Sequence, residues 1–240
     1  MDPIHQFQIK NLLTFGHIGG AEIAFTNSAL YMLIALAVIV ALTIGATTSR
    51  ALVPGRLQSV AEMSYEFIAD TLRSSAGSEG MKFFPLVFSL FMFILVVNMI
   101  GLIPYTFTVT SHIIITASLA LLVFTIVIAY GFWKNGLHFF KLFAPSGIPI
   151  ILMPLIILIE VMSFLSRPLS HSLRLFANML AGHTMLKVFA GFTIMLGVLG
   201  VAPIAINVAL TGFEILVAFL QAYVFAVLTC IYLNDAIHLH

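Results

Sequence analysis

Charge is what this chain has least of. Lysine, arginine, aspartate and glutamate make up 8% of its 240 residues, 61% are hydrophobic, and the mean hydropathy is +1.15. Soluble globular domains devote about a quarter of their residues to charge, and disordered chains need still more, so both classes are excluded. Ten basic residues against nine acidic ones leave a net charge of +1 with no basic cluster, which excludes a nucleic-acid-binding surface. Cysteine is nearly absent: Cys230 stands alone in an apolar run, cannot form an intrachain disulfide, and reads as a small buried apolar residue. Also missing are internal repeats, glycine-rich phosphate loops, paired-cysteine metal motifs and the Ser-x-x-Lys or Gly-x-Ser-x-Gly nucleophile patterns, so neither a cofactor nor a metal is expected. Residues 1–25 contain Asp2, Lys10 and Glu22 without a basic start, an apolar stretch and a small-residue cleavage site, and do not read as a removable signal.

What the chain does have is continuous apolar runs of about twenty residues or more, the length a helix needs to cross a bilayer, in place of the short alternating segments of a transmembrane barrel. The expected class is an all-α membrane protein forming a single membrane domain. An outer-side segment, 1–25, leads into a first span at 26–48. Residues 57–77 then repeat apolar side chains on one side, with Glu62, Glu66, Asp70 and Arg73 on the other, as in an amphipathic helix lying in the membrane interface and ending at Gly77. Further upright spans are expected at 83–105 and 112–133. Placing Arg50, Arg56, Arg73, Lys82, Lys134 and Lys141 on one side satisfies the positive-inside rule and puts the N-terminus outside.

Two long stretches follow, 147–191 and 201–235, and the first exceeds by about twofold the length needed to cross roughly 30 Å of hydrocarbon. Strong tilt or a near-horizontal path is expected of both, forming a hairpin that turns at Gly191, Gly197, Gly200 and Pro203, with kinks at Pro154 and Pro168. An even number of crossings returns the C-terminus to the cytoplasm. These stretches also carry nearly all the intramembrane polar groups. At 100° per residue, His171, Arg174 and Asn178 share a face, with Arg167 and Glu160 on or near it, whereas His183 lies on the far side; Glu214 and Gln221 share a face of the last helix. The polar groups thus make two patches separated by Arg174, as in two partial aqueous paths that do not join.

Arg174 is the costly residue. A guanidinium stays protonated, and holding it at the centre of a membrane helix costs roughly 2.5 to 3.5 kcal/mol even on lenient scales. Its intrachain candidates are Glu160, about 21 Å away by helical rise, and Glu214 on the other helix; the next is a carboxylate on another subunit. A mobile carboxylate meeting Arg174 would be held ionised and so lose its proton. Glu214 and His183 suit a proton relay, while Asn178, Gln221, Asn207 and Asn98 are able to bond neighbouring helices or to orient the guanidinium.

Ser172-Leu173-Arg174-Leu175-Phe176-Ala177-Asn178, followed by Ala181-Gly182-His183 and preceded by Ile159-Glu160, resembles the signature of subunit a of F-type ATP synthase, the stator channel subunit facing a rotating c-ring. Asn98-Met99-Ile100-Gly101-Leu102-Ile103-Pro104-Tyr105 and Gln221 extend the resemblance over nearly the whole chain. The resemblance implies that Arg174 separates two half-channels and meets the c-ring carboxylate, with Asn178 and Gln221 as polar support beside it. Glu160, His171, His183, Glu214, Asn207 and His112 are then expected along the proton path: Glu214, His183 and either Asn207 or His112 on the outer side, Glu160 and His171 on the cytoplasmic side. Implied partners are the c-ring, b-type peripheral stalk subunits, the remainder of the synthase and the lipid bilayer. The implied location is a bacterial inner membrane rather than a mitochondrial one, and no nucleotide site is expected on this chain. Two other classes remain open on the residues alone: a secondary transporter with an intramembrane Arg/Glu site, which would show inverted repeats, and a haem carrier using His171 and His183, which point about 120° apart.

Overall fold

The computed structural model describes residues 8–18, 21–48, 54–103, 106–143 and 152–238. Five stretches within it are long and apolar enough to cross a membrane: 27–48, 56–101, 113–135, 153–195 and 201–237. The chain is an all-α membrane protein with one addition. Within the N-terminal segment, where no element was expected, β1 (Asn11–Ile18) and β2 (Ala21–Thr26) form an antiparallel hairpin with two register irregularities. Asn27 joins this hairpin to the first helix: its side-chain Nδ2 donates to the Gln8 carbonyl, and its side-chain Oδ1 accepts from the Lys10 and Ser28 backbone N–H groups.

Helix α1 (Asn27–Thr48) buries only Ser28, Ala35 and Ala46, so its large apolar side chains face outward on nearly every side. Such a surface is stable only in a solvent as apolar as itself. Helix α2 (Arg56–Gly80) packs Ile68, Ala69, Leu72 and Ala76 inward. At Gly77, the expected terminator, the backbone leaves helical geometry with φ 65°, a left-handed conformation suited to glycine, and the helix then resumes to Gly80. Helices α3 (Phe84–Gly101) and α4 (Ile113–Asn135) follow. Pro104, Tyr105, Arg50 and the expected start of the long helix at Gly147 lie outside the described residues.

Helix α5 (Met153–Met195) has 43 residues and α6 (Val201–Ile237) has 37, or roughly 64 and 56 Å at 1.5 Å per residue. Pro154 does not kink α5, because it occupies the first turn, where a missing N–H costs nothing; Pro168 lies inside the helix. Gly191 is likewise inside α5 and takes no part in the turn. Gly197 makes it, at φ 54°, and at Gly200 an added Cβ would come within 2.6 Å of the Thr193 carbonyl oxygen. Pro203 sits buried in the first turn of α6.

The core is built around α6, which packs against α2, α3, α4 and α5. Ala218, Ala222, Ala226 and Cys230 recur every fourth residue and are fully buried. Small side chains on one stripe let neighbouring backbones approach closely, which is how helices associate when lipid removes the hydrophobic difference between them. The last turn of α6 is held from two helices: Asn135 Nδ2 donates to the Ala236 carbonyl at 2.9 Å, Lys134 Nζ to the Ile237 carbonyl at 3.3 Å, and Arg167 to Asp235 at 2.6 Å. Lys134 also binds Glu79 beyond the Gly77 break, and that hydrogen bond together with its charge holds the exposed Glu79 carboxyl below its usual value.

Candidate functional site

Helix α5 has two unlike faces. Every fourth residue from His171, namely Leu175, Met179 and His183, is buried, while Leu173, Arg174, Ala177, Asn178 and Ala181 are exposed. This corrects the grouping expected from helical angles: His171 is 60° round from Arg174, enough to take it to the opposite environment. His171 lies against α6, its ring centroid 3.7 Å from that of Phe225 and 6.0 Å from that of Tyr232. Asn178 stays with Arg174 on the outer face.

Two arginines on one helix are treated differently. Arg167 is half-buried, bonded to Asp235, and lies 5.6 Å and 5.1 Å from the ring centroids of Phe164 and Tyr232, which cover the guanidinium as well as neutralise it. Arg174, seven residues on, is exposed and forms no ion pair among the described residues. Glu160 is half-buried two turns before Arg167, and neither it nor Glu214 reaches Arg174 within ion-pair distance.

Glu214 instead meets His183. His183 Nδ1 lies 3.4 Å from Glu214 Oε1, with both side chains almost entirely buried between α5 and α6. Gly182 makes the approach possible, since a Cβ there would stand 2.6 Å from Oε1 and 3.0 Å from the carboxyl carbon. Asn207 and Thr211 continue the same face of α6 beyond Glu214. With Ala190 and Thr193 of α5 they line a cleft of about 240 Å³ between the helices, next to the turn. Gln221 is buried two turns beyond Glu214 in the other direction. His112 stacks on Phe107, centroids 5.1 Å apart, at the start of α4. Asn98, fully buried, accepts from Thr110 Oγ1 at 2.8 Å and donates to the Ala218 carbonyl at 3.4 Å, so it ties α3, the α3–α4 connection and α6 together.

The structure therefore brings Glu214 and His183 together, sets Asn207 in line with them, and places Arg174 with Asn178 on a separate, outward face. Glu160, His171 and His112 stand apart from the pair. In the sequence Gly182 and Gly101 stand out only as parts of motifs, and nothing singles out Thr108 or Asp235. A helix carries the positions of its polar residues in its sequence but not the neighbour each one meets.

Comparison with known proteins gives a consistent picture. The family described as ATP synthase A chain matches residues 29–234. A protein named ATP synthase subunit a from Rhodopseudomonas palustris (strain BisB18) is 64% identical over 245 residues, covering 99% of this chain and 98% of the relative. Its namesake in Nitrobacter winogradskyi is 65% identical with the same coverage, and that of Rhodopseudomonas palustris (strain BisB5) is 66% identical over 244 residues, again covering 99% and 98%.

Proposed function

Because the chain belongs to the ATP synthase A chain family, a proton-translocating Fo component of the ATP synthase complex, we propose that it is the stator that loads and unloads the carboxylates of a c-ring through two offset half-channels. The observation that carries this reading is Arg174: an exposed, permanently charged group in a helix long and apolar enough to cross a membrane, left unpaired by its own chain among the described residues while Arg167 is satisfied. Its counter-ion is a ring carboxylate that comes and goes.

Protons enter from the outer side by way of the Asn207 cleft, or past His112, reach Glu214 and His183, and pass to a ring carboxylate. Neutralised, that site turns into lipid. On returning it faces the cytoplasmic half-channel near Glu160 and His171, loses its proton, and meets Arg174, which holds it ionised and bars it from the outer path. Asn178 and Gln221 support the guanidinium. Each proton releases about 2.3 kcal/mol per 100 mV of membrane potential, so several together drive ATP formation elsewhere in the complex. Helices of 43 and 37 residues exceed the bilayer thickness, so α5 and α6 run strongly tilted or near-horizontal, α1, α3 and α4 stand upright, and α2 lies in the interface. The N-terminus is outside and the C-terminus cytoplasmic in a bacterial inner membrane, with b-type stalk subunits holding the stator.

Cross-linking tests which face meets the ring. With a cysteine introduced on the ring hairpin, Ala177→Cys and Ala181→Cys form the intersubunit disulfide on oxidation, while Met179→Cys, on the buried face, does not; the reverse pattern rejects the assignment. Gly182 provides a functional test. The atom its new Cβ would strike is the end of a flexible side chain, so Gly182→Ala displaces the Glu214 carboxyl without unfolding the helix pair. The complex is expected at normal yield, with ATP-driven proton pumping in vesicles lowered about tenfold, the effect of losing one interaction of about 1.4 kcal/mol in the rate-setting step.

A further inference from the structure

We propose that the connection between α3 and α4 delivers protons to His183: the Thr108 hydroxyl, through one bridging water, serves the His183 Nε2 atom, and Gly101 keeps the space between them open. This deepens the reading of His183 and Glu214 as a relay and rests on it.

Three observations converge on this segment. Phe107 to Ser111 are all buried, and the segment packs against α5, an uncommon condition for a connecting loop, whose backbone polar groups then need partners. Of its hydroxyls, Thr106 bonds the Ile100 and Ile103 carbonyls, Thr110 bonds Asn98, and Ser111 bonds the Thr108 carbonyl at 2.6 Å. Among the described residues, Thr108 Oγ1 alone of these is fully buried with no hydrogen-bond partner. On α5, His183 Nε2, the ring nitrogen turned away from Glu214, is also buried without a partner among the described residues.

The two orphans share one neighbour. A Cβ on Gly101 would lie 3.1 Å from the Thr108 methyl carbon, 3.5 Å from Thr108 Oγ1 and 3.6 Å from His183 Nε2, so the methyl and both polar atoms border the volume that a side chain at 101 would occupy. Two buried polar atoms confronting one glycine are the setting in which a single water makes two hydrogen bonds of roughly 2.8 Å and satisfies both. The segment is fixed for this role, since Asn98 and Thr110 lock it to α6 at Ala218, one turn beyond Glu214.

The proton bookkeeping closes. The hydroxyl accepts a proton from the outer side while giving its own to the water, and the water gives one to Nε2. The imidazole releases its Nδ1 proton to Glu214 Oε1, leaving the carboxyl neutral and the ring uncharged with its tautomer exchanged. After Glu214 has passed its proton on, the first tautomer is restored by exchange with solvent, one water giving a proton to Nδ1 while the bridging water takes the one on Nε2, with no net change of charge.

The test uses the complete complex in vesicles, with passive proton conduction driven by a potassium diffusion potential. Thr108→Val removes the hydroxyl at constant shape, Thr108→Ser retains it, and Gly101→Ala puts a methyl group into the shared space. Thr108→Val and Gly101→Ala are expected to lower conduction about tenfold at normal complex yield, with Thr108→Ser near wild type. A Thr108→Val complex that conducts normally while His183→Gln is impaired overturns this proposal and leaves the relay standing. Normal conduction by His183→Gln as well would remove the relay itself. Should Thr108→Val fail to assemble, Gly101→Ala decides by the same criterion.

Discussion

Replacing Arg174 by alanine is expected to abolish ATP synthesis and to open a proton leak that requires the c-ring. Both effects have one cause. On the proposed function, the guanidinium, which cannot lose its proton, forces every arriving ring carboxylate to ionise and bars protonated sites from passing directly between the half-channels. Without it, protons ride the ring from one path to the other, and flux no longer demands a full rotation. Because Arg174 is exposed on α5 and bonds no carboxylate of its own chain among the described residues, its removal leaves the fold intact. Arg167→Ala would instead strand Asp235, a half-buried partner, and show itself as lost complex yield. Arg174→Lys is expected to fail as well, since a compact ammonium lacks the planar fork that meets a carboxylate at two points. The measurement is ATP synthesis and passive leak in the same vesicles, with and without the ring; retained synthesis in the alanine variant would reject the assigned role.

Glu214→Gln is the second large effect. The carboxyl group is buried, neither oxygen has a hydrogen bond among the described residues, and His183 Nδ1 stands 3.4 Å from Oε1. Glutamine has the same shape, so assembly is retained, but an amide cannot take up and release the proton. Loss of a positioned acid–base group typically costs about 10²-fold or more, and proton entry is expected to fall by that order. Glu214→Asp keeps the chemistry while withdrawing the carboxyl by one methylene, and should give an intermediate rate. Unchanged flux in Glu214→Gln would take that residue out of the path.

The apolar runs, the scarcity of charge and the costly arginine at 174 were all legible in the sequence, because each depends on composition or on one residue's own solvation. Faces were harder to read. In a soluble helix the polar side is the wet side, so periodicity reports burial; in lipid, the side packed on other helices and the side open to lipid or a partner are equally apolar. His171 and Arg174 therefore looked like companions, although α6 claims one and leaves the other out. The β1–β2 hairpin escaped notice because its residues alternate weakly and hold two register irregularities. Pro154 looked like a kink because its place in the first turn of α5 is not marked by the sequence pattern. Gly101 and Gly182 carry no pattern of their own; their meaning lies in what comes near them, Thr108 and His183 for one and Glu214 for the other.

The fastening of the last turn of α6 by Lys134, Asn135 and Arg167 makes that end the fulcrum of the α5–α6 pair. A lever pinned at one end moves most at the other, which here is the glycine turn beside the Asn207 cleft. On the proposed function, drag from a turning c-ring is expected to flex the mouth of that cleft more than the fastened end of α6.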